Sequence, residues 1–439
     1  MKKIITSVGL IAVGAASVQA QYAPGLTSQE LAKPWSLSAS LRGFYDDNYL
    51  TLPSTYPVYN ANGTLKGYAH PLTSYGTEVT PSASMYHSAG DTLVSASYIY
   101  DLKYYGNGSH TDQSHQLNGR FEHAFSEKYK MALSDSFVVA QEPTIIDPAI
   151  VGTPLRTEGN NIHNTGTADF TAELTKLFDL HLGYANNVYA YRQLGGDEAP
   201  PYSYASRSAS LDRMEQLATV DLRWKALPDT TGVLGYEYGN VGYTSPEKII
   251  YAAPVTKYDY SNIRDTDEDF VYVGADHSFT PDVNGSARVG AEYLDYYKFH
   301  TSKLSPYVDV SLTDQYLPRC SAQVGVKHTH SSTDVVGLTG NTPVLDSDTT
   351  AAYASVNHAV SDKLMATLLG QAQFSTFNGG GPGYNGKGEA FFILGLNATY
   401  HFTPWFLGEG GYNYSKLNSD LADRGYTRNF VYLGIRATY

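Results

Sequence analysis

Three short stretches of this sequence hold residue types whose spacing invites chemistry. Gly381-Pro382-Gly383-Tyr384-Asn385-Gly386-Lys387-Gly388 contains a G-x-G-x-x-G pattern and falls one residue short of a phosphate-binding loop. Phosphate binding requires such a loop to open a helix, and a hydroxyl after the lysine to hold the metal. Here Gly388 follows Lys387 and residues 389–402 alternate as a strand, so a flexible loop is the better reading. His328-Thr329-His330 sets two imidazoles on one face of a strand, as a metal pair would, but no third ligand accompanies them. Asp265, Asp267, Glu268 and Asp269 gather carboxylates in what reads as a long external loop. They lack the glycine and closing glutamate of a calcium loop, and read as solvated charge. Neither G-x-S-x-G nor H-E-x-x-H occurs. The sequence therefore offers no catalytic residue, metal site or cofactor.

The elements that must position these residues are strands. The chain opens with Lys2 and Lys3, an apolar run from Ile4 to Val18, and Val18-Gln19-Ala20 as a small-residue cleavage site. That is the form of a secretory signal peptide over residues 1–20. A periplasmic amino-terminal segment, 21–34, would follow. Beyond it no run approaches the roughly 20 apolar residues of a spanning helix. The composition instead favours strands: 38 Tyr and 40 Gly in 439 residues, with a lone cysteine, Cys320, that excludes an internal disulfide. With 30 basic against 43 acidic residues, nucleic acid is not an expected partner.

From Trp35 onward, segments of about ten residues with apolar side chains at alternate positions are separated by breaks rich in Gly, Asn, Asp, Pro or Ser. In Thr219-Val220-Asp221-Leu222-Arg223-Trp224-Lys225 the even positions are apolar and the odd ones polar. Such a strand can stand between lipid and water. We read about eighteen segments, with sixteen as the alternative, and breaks that alternate between short and long. Ser126-Glu127-Lys128, Pro228-Asp229-Thr230, Thr280-Pro281-Asp282, Ser361-Asp362-Lys363 and Thr403-Pro404 belong to the short set. Tight turns on one rim and long loops on the other predict an all-β, up-and-down antiparallel barrel over residues 35–439 that spans an outer membrane. Both termini then lie on the periplasmic side. Trp35, Trp224 and Trp405, all three tryptophans, fall at periplasmic strand ends, where indole favours the interface.

At the carboxyl end Val431, Leu433, Ile435, Ala437 and Tyr439 form one apolar row that finishes on an aromatic residue. This resembles the terminal strand by which the barrel-assembly machinery recognises its clients. With the signal peptide, the barrel pattern and stretches such as Tyr98-Ile99-Tyr100-Asp101-Leu102-Lys103-Tyr104-Tyr105, the chain resembles the putative β-barrel porin 2 family over most of its mature length. The resemblance implies an outer-membrane channel of undefined substrate.

Strand parity sorts the charges. Basic residues Arg42, Lys103, Arg120, Arg223, Lys225, Arg288, Lys327 and Arg436 fall on the face opposite the apolar row. So do acidic Asp101, Glu122, Asp169, Glu173, Asp221, Glu237, Asp276, Glu292, Asp309 and Glu409. All should point into the lumen, because a basic side chain on the lipid face near the midplane costs about 2–4 kcal/mol. Two positions resist the pattern: Asp135 falls between Leu133 and Phe137, and Asn186 between Tyr184 and Val188. A bulge or a misplaced boundary would explain either.

The expected function is a non-enzymatic, porin-like channel for passive diffusion of small hydrophilic solutes, exported to a Gram-negative-type outer membrane. Its partners would be membrane lipid, the barrel-assembly machinery and the solutes. The rivals are a closed-lumen barrel for surface interaction or polysaccharide, and a barrel enzyme. The sequence shows no distinct subunit face, so monomer and trimer both stay open.

Overall fold

The computed structural model describes residues 34–59, 64–107, 110–140, 161–191, 206–249, 259–337, 342–422 and 424–439. The expected signal peptide, 1–20, and nearly all of the expected periplasmic segment 21–34 lie outside them. The strands are β1 (Trp35–Asp46), β2 (Tyr56–Tyr59), β3 (Leu65–Ala69), β4 (Ser74–Ala89), β5 (Thr92–Tyr105), β6 (His110–Ala124) and β7 (Tyr129–Ala140). They continue as β8 (Asn161–Glu173), β9 (Phe178–Tyr191), β10 (Arg213–Leu227), β11 (Thr230–Tyr243), β12 (Thr266–Ser278), β13 (Val283–Tyr296) and β14 (Thr301–Leu317). The last are β15 (Cys320–Ser331), β16 (Val344–Ala359), β17 (Leu364–Gly379), β18 (Gly388–Thr403), β19 (Phe406–Ser419) and β20 (Tyr426–Thr438).

β1 and β4 to β20 make one 18-stranded antiparallel sheet in which chain neighbours pair. β1 bonds to β4 on one side and to β20 on the other, which closes the barrel and removes both edges. Eighteen strands, not sixteen, are present. β2 and β3 form a separate hairpin within the first outer connection, an element the alternation did not reveal. β16 begins farther out than its alternating core suggests, and Lys303 with Asp348 and Tyr296 with Asp346 tie that end to β14 and β13.

The wall is sorted by the two-residue repeat. In β1, Trp35, Leu37 and Leu41 are exposed while Ser36, Ser40 and Arg42 are buried. The connections alternate as expected: 90–91, 228–229, 318–319 and 404–405 are tight, whereas 47–73, 192–212, 244–265 and 332–343 at the other rim are long.

Asp135 and Asn186 need no bulge. β7 pairs with β6 and β8 in unbroken register, and β9 with β8 and β10 likewise. Both residues therefore share the outward face of their apolar neighbours, and the expectation of an irregularity is corrected.

Candidate channel lining and mouth

The concave face is built from charges that pair sideways, strand to strand. The register aligns Glu409, Gly434, Arg42, Glu78 and Lys103 in one row around the wall. Gly434 is the reason the row closes on itself. A Cβ there would stand 2.6 Å from the Arg42 Cγ, so only glycine lets the guanidinium lie over β20 and reach β19. Arg42 donates to Glu409 at 2.6 Å and to Glu78 at 3.0 Å, and Arg436 adds a 3.0 Å bond to Glu409. Arg42 and Glu78 are 5% and 1% exposed, so the pairing satisfies charges that water does not reach. Asp101 accepts from Thr80 at 2.8 Å and lies 3.8 Å from Lys103.

The same device recurs elsewhere. Tyr272 of β12 lies across Gly235 of β11 and donates to Asp221 of β10 at 2.7 Å. Tyr432 of β20 lies across Gly411 of β19 and donates to Asn397 of β18 at 2.7 Å. Around Asp221 stand Arg223 at 3.4 Å and His181, whose other nitrogen bonds Asp169 at 3.1 Å. Lys225 reaches Asp179 at 2.8 Å and Glu173 at 3.5 Å.

Arg288 donates to Asp276 at 2.8 Å and is in register with Asp309, which in turn faces Lys327. Arg120 pairs with Glu122, and Glu237 accepts from Thr219 at 2.8 Å. Each charge assigned inward by parity thus stands on the face opposite the exposed apolar row, mostly as one half of an ion pair.

Two of the tempting clusters come apart. β12 begins at Thr266, so alternation sends Asp267 and Asp269 outward and Glu268 inward, and the four carboxylates cannot converge. Asp267 and Asp269 instead accept from Tyr238 at 3.1 Å and Tyr236 at 2.5 Å. The two histidines separate as well. His328 bonds Thr350 at 2.7 Å, whereas His330 turns to Glu268 at 2.8 Å because β15 leaves β14 above Val308. Glu292 draws that end of β15 inward by accepting from Thr329 at 2.9 Å and the His330 backbone at 2.7 Å. Among the described residues no cluster of three or more His, Cys, Asp or Glu is placed to hold a metal.

The inward turn of β15 leads to a feature that periodicity could not show. Residues 333–336 are all buried, with Asp334 at their centre. Asp334 accepts from Arg207 at 2.6 Å and from both terminal nitrogens of Arg424 at 3.0 and 3.1 Å. Arg424 also donates to Glu389 at 2.5 Å. Arg207 opens a short helix, α1 (Arg207–Leu211), just before β10, and Arg424 lies two residues before β20. Those strands stand on nearly opposite sides of the ring, so Asp334 ties the mouth together across its width.

Arg264, 1% exposed, fastens the same loops with bonds to the carbonyls of Thr333 at 3.0 Å and Ser210 at 2.5 Å. Ala209, Ile249 and Val336, with Ile263 against them, supply the apolar contact among three loops. Burial alone would raise the Asp334 carboxyl, but Arg424 and Arg207 outweigh it and hold the group well below the ordinary carboxylate range.

The carboxyl-terminal row also takes its place. Val431, Leu433, Ile435 and Tyr439 are exposed on the convex face, with Ala437 at the same parity. Tyr439 exchanges both backbone hydrogen bonds with Leu37 and packs its ring 5.5 Å from Trp35. Trp224 and Trp405 are exposed at the same rim.

Residues 255–439 match the family described as putative beta-barrel porin 2. The matched part carries β12 to β20 and, with them, Asp334, Glu389 and Arg424 of the mouth. No curated protein matches the chain. Among solved structures it is similar to a BenF-like porin from Pseudomonas fluorescens Pf-5, at 11% identity over 92% of this chain and 99% of that one, TM-score 0.44. Pseudomonas aeruginosa OpdK with vanillate is similar at 11% identity, 92% and 99% coverage, TM-score 0.44. Pseudomonas aeruginosa OccK2 in complex with glucuronate is similar at 9% identity, 92% and 98% coverage, TM-score 0.42.

Proposed function

We propose that this protein is an outer-membrane porin-like channel for the passive diffusion of small hydrophilic solutes. The observation that carries this reading is the closed 18-stranded wall, apolar outside and charged within. Barrels of about sixteen to eighteen strands enclose an aqueous passage. Part-exposed paired charges such as Lys225 with Asp179 and Arg288 with Asp276 would line it without a dominant sign, so selectivity falls to the narrowest part. The bridge of Arg207, Asp334 and Arg424, which crosses the mouth, would place that part there.

The wall itself needs lipid on its convex side. Trp35, Trp224 and Trp405 would anchor it in the periplasmic leaflet, and the row from Val431 to Tyr439 would present the chain to the barrel-assembly machinery after signal-peptide removal.

Single-channel recording in planar bilayers tests the reading. Ohmic open steps with small salts are expected, and they should enlarge when Asp334→Ala releases the mouth. Silence accompanied by ligand binding at the surface would instead favour a closed-lumen barrel, and hydrolysis of lipid or peptide a barrel enzyme.

A further inference from the structure

The convex face is not uniform. On β6 to β10 a row of polar side chains crosses the apolar band, and its register continues toward the outer rim through Asn240 of β11 and Asp267 of β12. In register, Gly119 lies beside Asp135, Asp135 beside Gly166, Gly166 beside Asn186, and Asn186 beside Gln216. Asp135 stands between exposed Leu133 and Phe137, and six residues up from Tyr129 it lies about 15 Å above the start of its strand. That is mid-height in the hydrocarbon. Among the described residues no other Asp or Glu occupies mid-height on this face. It accepts from the Asn164 amide at 2.9 Å, and among the described residues that single bond leaves most of the carboxylate's acceptor capacity facing outward. Glycine on either side makes a notch, and a Cβ at Gly119 would meet nothing within 4 Å.

We propose that the convex face of β6 to β10 is a membrane-embedded contact with a second copy of this chain. Acyl chains offer a carboxylate no donor, and headgroups lie half a bilayer away. An identical wall supplies what is missing. The Asn186 amide both donates and accepts, and around a two-fold axis along the membrane normal it can meet Asp135 of the facing copy, whereas Gln216, three residues from the outer end of β10, stands nearer the rim. The notch admits the facing side chains at close approach. Polar groups of this kind bind walls together where hydrophobic burial cannot distinguish protein from lipid.

Single cysteines at positions 166, 186 and 433, introduced as Gly166→Cys, Asn186→Cys and Leu433→Cys in a Cys320→Ser background, test the contact in intact outer membranes. Position 433 lies in β20, remote from this face. A bifunctional maleimide should give a band of twice the chain mass at 166 and 186 and none at 433. Gly119→Leu, a lipid-compatible side chain placed in open space, should abolish that band while leaving a heat-modifiable, conducting barrel; Asn186→Leu with the cysteine at 166 provides a second block. Absence of the band, equal yield at 433, a product of another mass, or a band unaffected by both blocking variants would overturn the proposal. The conductance reading stands or falls separately, because the blocked monomer is recorded as a channel.

Discussion

Replacing Arg42 by methionine should reveal how far water penetrates the lining. The shorter side chain loses every donor, so Glu78 is deprived of its 3.0 Å partner and Glu409 keeps only Arg436. Both carboxylates are nearly inaccessible, so the appropriate scale is that of a buried pair deprived of one partner, about 3–5 kcal/mol. The retained Arg436 should place the outcome toward the lower end. Removing Glu78 as well, by Glu78→Gln, should restore part of the loss, with a coupling of about 0.5–3 kcal/mol.

Gly434→Ala approaches the same bond from the other side: the new Cβ would meet the Arg42 Cγ and the Leu41 carbonyl, both at 2.6 Å, and overpacking of this kind costs about 1–3 kcal/mol. Urea unfolding in detergent micelles, followed by loss of heat-modifiable mobility, measures the wild type, Arg42→Met, Glu78→Gln, their double variant and Gly434→Ala. A cost below about 1 kcal/mol for Arg42→Met, the size expected of a solvated ion pair, would refute the claim that this row is sealed from solvent.

Labelling checks the parity of the wall: in a Cys320→Ser background, cysteine at 223 should react with a small water-soluble thiol reagent and cysteine at 224 poorly, and the reverse would shift the β10 register by one. Truncation after Arg428 should leave protease-sensitive, unassembled protein, since β20 supplies the closing pairs with β1; a heat-modifiable product in the outer membrane would contradict this. Because the Asp334 carboxyl is depressed, its contribution is fully present above the ordinary carboxylate pKa of about 4 and is lost only as pH falls through the lower folded value. Mouth conductance should therefore hold steady through mild acid, whereas Asp334→Asn should loosen the mouth at neutral pH; enlargement of wild-type steps near pH 5 would count against the bridge.

The wall was legible in the sequence because a two-residue repeat leaves no freedom about which face a side chain takes. All the charges from Arg42 to Arg436 could be assigned on that ground. What pattern could not supply was contact between residues far apart in the chain. Arg207, Asp334, Glu389 and Arg424 sit in loops or at strand ends, where no period constrains them, and only the barrel's closure brings them together. His330 was misjudged for a related reason: alternation holds while a strand stays paired on both sides, and β15 does not. Asp135 shows the opposite error. Its parity was correct as read, but a carboxylate among apolar neighbours was attributed to an irregular strand because the rule equates outward with lipid. The inner glycines carried a signal that went unused: Gly235, Gly411 and Gly434 each face an aromatic or arginine on the adjacent strand.

Those glycines bear on how the wall comes apart. A side chain that lies flat across its neighbour and bonds to the strand beyond ties three strands rather than two. Barrels whose strands are held by backbone pairing alone can be pulled from a membrane one hairpin at a time. Here, extracting β19 with β20 would first have to break Arg42 from Glu409 and Tyr432 from Asn397, bonds that run around the circumference like hoops on a cask. Under mechanical load the molecule should resist ovalising and release in blocks larger than a hairpin. Because each hoop lies against the wall, that stiffness is gained without narrowing the bore.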